Sequence, residues 1–158
     1  MKKKLYLAAP LFTPEERAFN QKLAKILSGK FDVFLPQRDG ALVAEKIDEG
    51  TPPISAKMEV FNNDVTAIQN SDIVFAIYDG RTIDEGVAFE VGLAFGLGKK
   101  CWAYKSDVRS LLPHGDNPML EMPVTRWFRS ISEVRSEFSN NDDVNPSHRQ
   151  KQIPDLPG

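Results

Sequence analysis

Four short apolar runs punctuate the chain: Lys4–Ala8 (KLYLA), Asp32–Leu35 (DVFL), Asp72–Tyr78 (DIVFAIY) and Lys100–Tyr104 (KCWAY). Each is rich in β-branched, aromatic or Leu side chains and reads as a strand, with a weaker fifth at Val124–Phe128. LYLAAP and IVFAIY are nearly continuous in apolar character rather than alternating, which suits strands buried on both faces of a parallel sheet. Helical spacing fills the gaps. Thr13-Pro14-Glu15-Glu16 offers an N-cap, a Pro at the first helical position and a Glu three residues after the cap. Phe19, Leu23, Ile26 and Leu27 then repeat at helical spacing until Gly29. A second helix is expected from Ser55 to Asn70, with Met58, Phe61, Val65 and Ile68 on one face. A third opens at Thr82-Ile83-Asp84-Glu85, again a capping-box pattern, and continues to Gly98; Ser130–Phe138 forms the last. Strands and helices alternating in this way predict an α/β fold: a doubly wound, flavodoxin-like or Rossmann-like parallel sheet of five strands flanked by helices.

Two stretches resist that reading. Pro36–Pro53 mixes charges with Pro residues and is expected to be a long loop carrying a short helix. Residues 139–158 are polar and Pro-containing, so they are set apart from a 1–138 domain as a C-terminal tail that stays disordered or docks.

The 158 residues suit one domain with a proper core. With 20 Lys+Arg against 22 Asp+Glu, the net charge of −2 offers no basic surface for nucleic acid or a polybasic membrane contact. A lone cysteine, Cys101, and two histidines, His114 and His148, leave no disulfide framework and no Cys- or His-rich metal site. Met1-Lys2-Lys3-Lys4 followed by Leu5–Phe12 has a faint secretory look, but the apolar run is short, holds Pro10 and meets no small-residue cleavage site. No run approaches the ~18–20 apolar residues of a membrane-spanning helix. The expectation is a soluble, cytoplasmic protein.

In an open α/β sheet, ligands bind beyond the carboxyl ends of the strands. The segments there are Ala9–Phe12, Pro36–Gly40, Asp79–Asp84 and the loop holding His114 and Asp116–Met119, which together make a polar, acidic cleft with apolar walls. No Gly-x-Gly-x-x-Gly follows the first strand, which argues against a dinucleotide cofactor. Gly96-Leu97-Gly98-Lys99-Lys100 follows a helix and precedes a strand, the reverse of a phosphate loop, and reads as a helix stop. Two carboxylates stand where patterning forbids them. Glu90 has Val87, Leu93 and Ala94 as helical neighbours, and Asp64 has Phe61 and Ile68. A carboxylate on an apolar stripe is desolvated, which shifts its proton affinity. Paired acids in a partly apolar site are the arrangement that breaks glycosidic bonds.

Taken with their surroundings, these residues resemble the nucleoside 2-deoxyribosyltransferases from Lys4 to Phe128. Asp84-Glu85-Gly86-Val87-Ala88-Phe89-Glu90-Val91-Gly92 is similar to the family's Asp-x-Gly-x-x-x-Glu-x-Gly signature. Leu5-Tyr6-Leu7-Ala8-Ala9 with Phe12, Gln37-Arg38-Asp39-Gly40, Asn63-Asp64-Val65-Thr66-Ala67-Ile68 and Asn117-Pro118-Met119 resemble four further segments in the family's order. The resemblance implies transfer of 2-deoxyribose between nucleobases, with Glu90 as the nucleophile at the anomeric carbon. Tyr6 would orient Glu90, and Asp64 would contact the base and help protonate it as it leaves. Asp84 and, from a neighbouring subunit, Asn117 would bind sugar hydroxyls. Gln37 would read the base, and Phe12 and Met119 would wall the cleft. The implied partners are small nucleosides and nucleobases. The implied assembly is a homo-oligomer built from dimers, as large as a hexamer, with shared active sites. No metal or redox cofactor is called for. The sequence departs from many members, whose tails carry a C-terminal aromatic residue toward the site; here the tail reads Pro154-Asp155-Leu156-Pro157-Gly158. The alternatives are an N-glycosidase of deoxynucleosides or their 5′-monophosphates, kept open by Arg38 and Arg81, and a non-catalytic nucleotide-sensing or phospho-accepting domain with Asp79 at a strand end.

Overall fold

The computed structural model describes residues 1–138; the tail set apart at 139–158 lies outside them. The order is β1 (Lys3–Ala8), α1 (Pro14–Leu27), β2 (Phe31–Phe34), α2 (Pro36–Asp39), α3 (Val43–Asp48), α4 (Pro53–Gln69), β3 (Ile73–Ile77), α5 (Glu85–Gly96), β4 (Lys100–Tyr104), α6 (Pro118–Glu121), β5 (Val124–Phe128) and α7 (Ile131–Phe138). The five strands pair in parallel in the order β2-β1-β3-β4-β5. This is the doubly wound α/β architecture expected from the alternation of elements. The chain reverses direction between β1 and β3, and such a switch point leaves a crevice beyond the strand ends.

Period-two alternation sends neighbouring strand residues to opposite faces. Leu5, Leu7, Val33 and Phe75 pack under α1 and α7 with Leu23, Leu27, Val134 and Phe138. On the other face Tyr6, Ala8, Val74 and Ala76 pack under α4 and α5 with Ile68, Val87, Val91 and Ala94. The central strand β3 is buried along its whole length, which explains its unbroken apolar sequence.

The capping box before α1 forms as the sequence predicts. The Thr13 hydroxyl accepts from the Glu16 N–H (3.2 Å), and the Glu16 carboxylate accepts from the Thr13 N–H (2.9 Å). The start of α5 differs from the expectation. The cap is Asp84, whose Oδ1 accepts from the Val87 N–H (3.0 Å), so the helix opens two residues later than a Thr82 cap would allow. The connection from β3 passes through Gly80 at φ 109°, a conformation that L side chains rarely adopt. The Pro36–Pro53 stretch holds two short helices rather than one, and α4 begins at its last residue. Among the described residues, no helix is long and apolar enough to cross a membrane.

Candidate active site

Tyr6 is the starting point. It sits in the middle of β1, faces α4 and α5, and stacks on Phe34 with ring centroids 5.6 Å apart. The residue is 0% exposed. A buried phenol needs a partner for its hydroxyl. That partner is Glu90 on α5, whose Oε1 accepts the Tyr6 hydroxyl at 2.5 Å, the length of an O–H donor to a carboxylate. Burial, then the nearby Glu90 and Asp64 carboxylates, push the Tyr6 phenol above its ordinary range. It therefore keeps its proton and acts as a fixed donor to Glu90.

Burial also raises both acids. Glu90 is pushed up to about 8, with the Asp64 and Asp84 charges adding to the rise and the Tyr6 hydrogen bond opposing it. Asp64, on α4, is pushed up to about 6 by burial, again against the pull of Tyr6. Both shifts follow from removing charge from water, and the mutual repulsion of two acids sharing one site adds to that on Glu90. The arrangement keeps a proton on the pair near neutrality, which suits transfer to a leaving group.

These side chains line a cavity of about 610 Å³. Asp64, Asp84 and Glu90 form its acidic side, while Leu11, Phe12, Leu42, Val43, Ile47 and Val60 wall the other. Asp84 reaches the cavity from the first turn of α5 with one carboxylate oxygen committed to the Val87 N–H. Among the described residues, no group of three or more His, Cys, Asp or Glu side chains is placed to hold a metal ion.

Of the residues singled out in the sequence, the structure gathers Glu90, Asp64, Tyr6, Asp84 and Phe12 here. Gln37 lies behind the wall. Its amide donates to the Arg17 carbonyl (2.9 Å) and accepts from Asn20 (2.9 Å), and Asn20 also donates to the Pro10 carbonyl (2.8 Å). Arg17 in turn donates to the carbonyls of Leu11 (2.9 Å) and Phe12 (3.2 Å). This network fixes the loop after β1. Asn117 and Met119 do not line the cavity of their own chain. Asn117 caps α6, its Oδ1 accepting from the Met119 N–H (2.9 Å), and Met119 is 77% exposed.

Sequence reasoning missed part of the wall and its one cation. Leu42, Val43 and Ile47 are apolar residues in an otherwise charged stretch, a signal that α3 has something to cover. Arg17 carried no signal of its own, because its contacts are to backbone carbonyls of a loop.

Comparison with known proteins gives the family and the fold. A nucleoside deoxyribosyltransferase from Limosilactobacillus fermentum is 28% identical over 155 residues, covering 94% of this chain and 89% of the relative. Among solved structures, a 2-deoxyribosyltransferase from Bacillus psychrosaccharolyticus superposes with a TM-score of 0.69 at 26% identity, over 84% of this chain and 90% of its own. A CMP N-glycosidase from Clostridium botulinum, at 17% identity and a TM-score of 0.55 over 85% of this chain and 96% of its own, shares the fold. The sequence profile described as nucleoside 2-deoxyribosyltransferase matches residues 5–145, nearly the whole of the described domain. The chain belongs to the nucleoside 2-deoxyribosyltransferase family and is an enzyme of that pentosyl-transferring class.

Proposed function

We propose that the protein transfers 2-deoxyribose between nucleobases by double displacement through a covalent glycosyl–Glu90 intermediate, with slow nucleoside hydrolysis as a side reaction. The observation that carries this reading is the Glu90 carboxylate, desolvated in an apolar-walled cavity, held by the Tyr6 hydroxyl and standing with a second acid whose proton affinity is also raised.

In the first step the proton that Glu90 holds at neutrality passes to Asp64, and the freed Glu90 carboxylate oxygen attacks the anomeric carbon. The C1′–N bond breaks, its electron pair goes to the base, and the base takes up a proton from Asp64. In the second step a nitrogen of an incoming base attacks the same carbon, the ester bond returns its electron pair to Glu90, and the proton goes back to Asp64. Covalent catalysis divides one hard displacement into two easier ones, and two inversions give net retention. Tyr6 keeps the attacking oxygen in place throughout. Asp84 has one carboxylate oxygen left for a sugar hydroxyl. Phe12, with Leu42 and Ile47, excludes water, which decides how far a base outcompetes hydrolysis. In this reading Gln37 serves base recognition through the network it shares with Asn20 and Arg17, which sets the loop at the base end.

Asn117 and Met119 act on a neighbour's substrate. Two features favour a homo-oligomer with shared sites. Met119 of α6 is exposed outside its own chain's cavity, and α4 and α5 carry exposed apolar side chains. Phe61 of α4 and Phe89 of α5 meet, each about half exposed (51% and 54%), with ring centroids 6.0 Å apart. Isolated exposed apolar residues are ordinary, but a patch of this kind marks an interface.

Incubation with deoxyinosine and free adenine, following deoxyadenosine and free deoxyribose separately, tests the reading. Deoxyadenosine of β configuration should form faster than free sugar, and slow hydrolysis should appear when adenine is left out. If adenine merely inhibits and free sugar is always the product, the enzyme is a hydrolase and the transfer reading fails.

A further inference from the structure

The connection after β3 and the loop after β4 meet at one buried ammonium. Lys105 directly follows β4 and is 4% exposed. Its Nζ donates to the carbonyls of Tyr78 (3.3 Å) and Gly80 (3.2 Å) and pairs with the Asp116 carboxylate (3.0 Å), which is 5% exposed. All three ammonium protons are thereby satisfied. The same two segments are joined again next door, where the Asp79 carboxylate accepts from the Ser106 N–H (2.6 Å), the Ser106 hydroxyl (2.9 Å) and the Asp107 N–H (2.9 Å). Tyr78 continues the link by donating to the Leu120 carbonyl in α6 (3.0 Å).

What these segments carry gives the arrangement its meaning. The first runs from Gly80 to Asp84, which lines the cavity of its own chain. The second ends at Asp116, the residue before Asn117, which does not line that cavity. A buried ion pair is a weak stabiliser, since a well-packed apolar pair commonly does as well, so its merit here is positional. We infer that Lys105 is a positioning residue that holds the two halves of a shared active site in register. Through Gly80 it sets where Asp84 meets the sugar, and through Asp116 it sets the Asn117–Met119 segment offered to the neighbouring subunit. This rests on the shared-site reading above.

The test uses the full chain. Lys105→Met alone strands a buried carboxylate, so it is compared with the charge-free pair Lys105→Met/Asp116→Leu. The pair variant should fold cooperatively, with a Tm lowered only by the Tyr78 and Gly80 carbonyls that lose their donor, while its KM for deoxyinosine rises about tenfold or more and kcat falls less. Amide hydrogen exchange should quicken together in segments 79–84 and 106–117, a readout independent of turnover. A folded pair variant with KM within about twofold of the wild type overturns the inference. So does loosening confined to one segment. Mixing Glu90→Ala with Asn117→Ala subunits separates the two readings. An active mixture alongside a pair variant of wild-type KM removes only the role of Lys105. A mixture that stays inactive removes the shared site and, with it, the register that Lys105 is said to keep.

Discussion

Glu90 and Asp64 hold their protons more tightly than ordinary carboxyls, Glu90 at about 8 and Asp64 at about 6, because burial penalises each charge. The two titrate as a pair; the singly protonated site holds its proton on Glu90, the higher of the two, and becomes reactive when that proton passes to Asp64 and frees the Glu90 carboxylate. Below the lower value both are protonated and attack is lost; above the upper value both are ionised and the leaving base finds no proton. The profile of kcat/KM against pH is therefore expected to be a bell with limbs near these two values, measured for deoxyinosine across about pH 5 to about pH 9. The Tyr6 hydroxyl holds the Glu90 value down by its hydrogen bond, so Tyr6→Phe should move the upper limb of the bell to higher pH as well as slow the reaction. A profile that is flat, or unmoved in Tyr6→Phe, speaks against the pair. Glu90→Ala removes the proposed nucleophile itself. Base exchange should fall by at least about three orders of magnitude, or about 4 kcal/mol of barrier, in a protein whose circular dichroism is unchanged. Near-normal turnover by that folded variant removes Glu90 from the mechanism.

At the scale of elements, the start of α5 joins stability to binding in one side chain. Asp84 caps the helix through Val87 and lines the cavity. Asp84→Ala should lose about 1 kcal/mol of stability along with substrate affinity. Asp84→Asn keeps a capping oxygen, so its Tm should stay near that of the wild type while KM for deoxynucleoside still rises. Thermal unfolding and steady-state kinetics on the two variants together check both roles. The same helix shows where the sequence was legible. Thr82 and Asp84 are both capable caps, and the spacing from Thr82 to Glu85 mimics a capping box; in the fold it is Asp84 that takes the Val87 N–H. Strands read cleanly because β3 throughout, and β1 from Leu5 to Ala8, are buried on both faces and carry apolar or aromatic side chains there. The four-residue α6 is too short to leave a periodicity. Glu90 and Asp64 stood out as carboxylates on apolar stripes, but the bond from Tyr6 to Glu90 spans 84 positions of sequence and had no local signature. Gln37 lies in a motif that the chain shows plainly, yet its bonds to Arg17 and Asn20 exist only once α1 and α2 are folded together.

For the molecule as a whole, the proposed shared site would make assembly part of the chemistry, with the exposed Phe61–Phe89 pair and Met119 as the surfaces offered to it. Sedimentation at assay concentration should show an oligomer built from dimers. Phe89→Asp, which places a charge in that pair, should yield smaller species that lose exchange activity with them. Subunits disabled by Glu90→Ala and by Asn117→Ala should recover part of the activity when mixed, because hybrid sites draw Glu90 from one and Asn117 from the other. A fully active monomer contradicts this assembly.

The covalent intermediate is the centre of the account, and it is accessible to one measurement. The enzyme is mixed with deoxyinosine in the absence of an acceptor base, quenched in acid and digested, and the peptides are weighed. The account predicts that the peptide containing Glu90 gains the mass of one deoxyribosyl group. That adduct should disappear when adenine is added before the quench, as β-deoxyadenosine is formed. An unmodified Glu90 peptide during active exchange, or a product of inverted configuration, contradicts double displacement through this carboxylate.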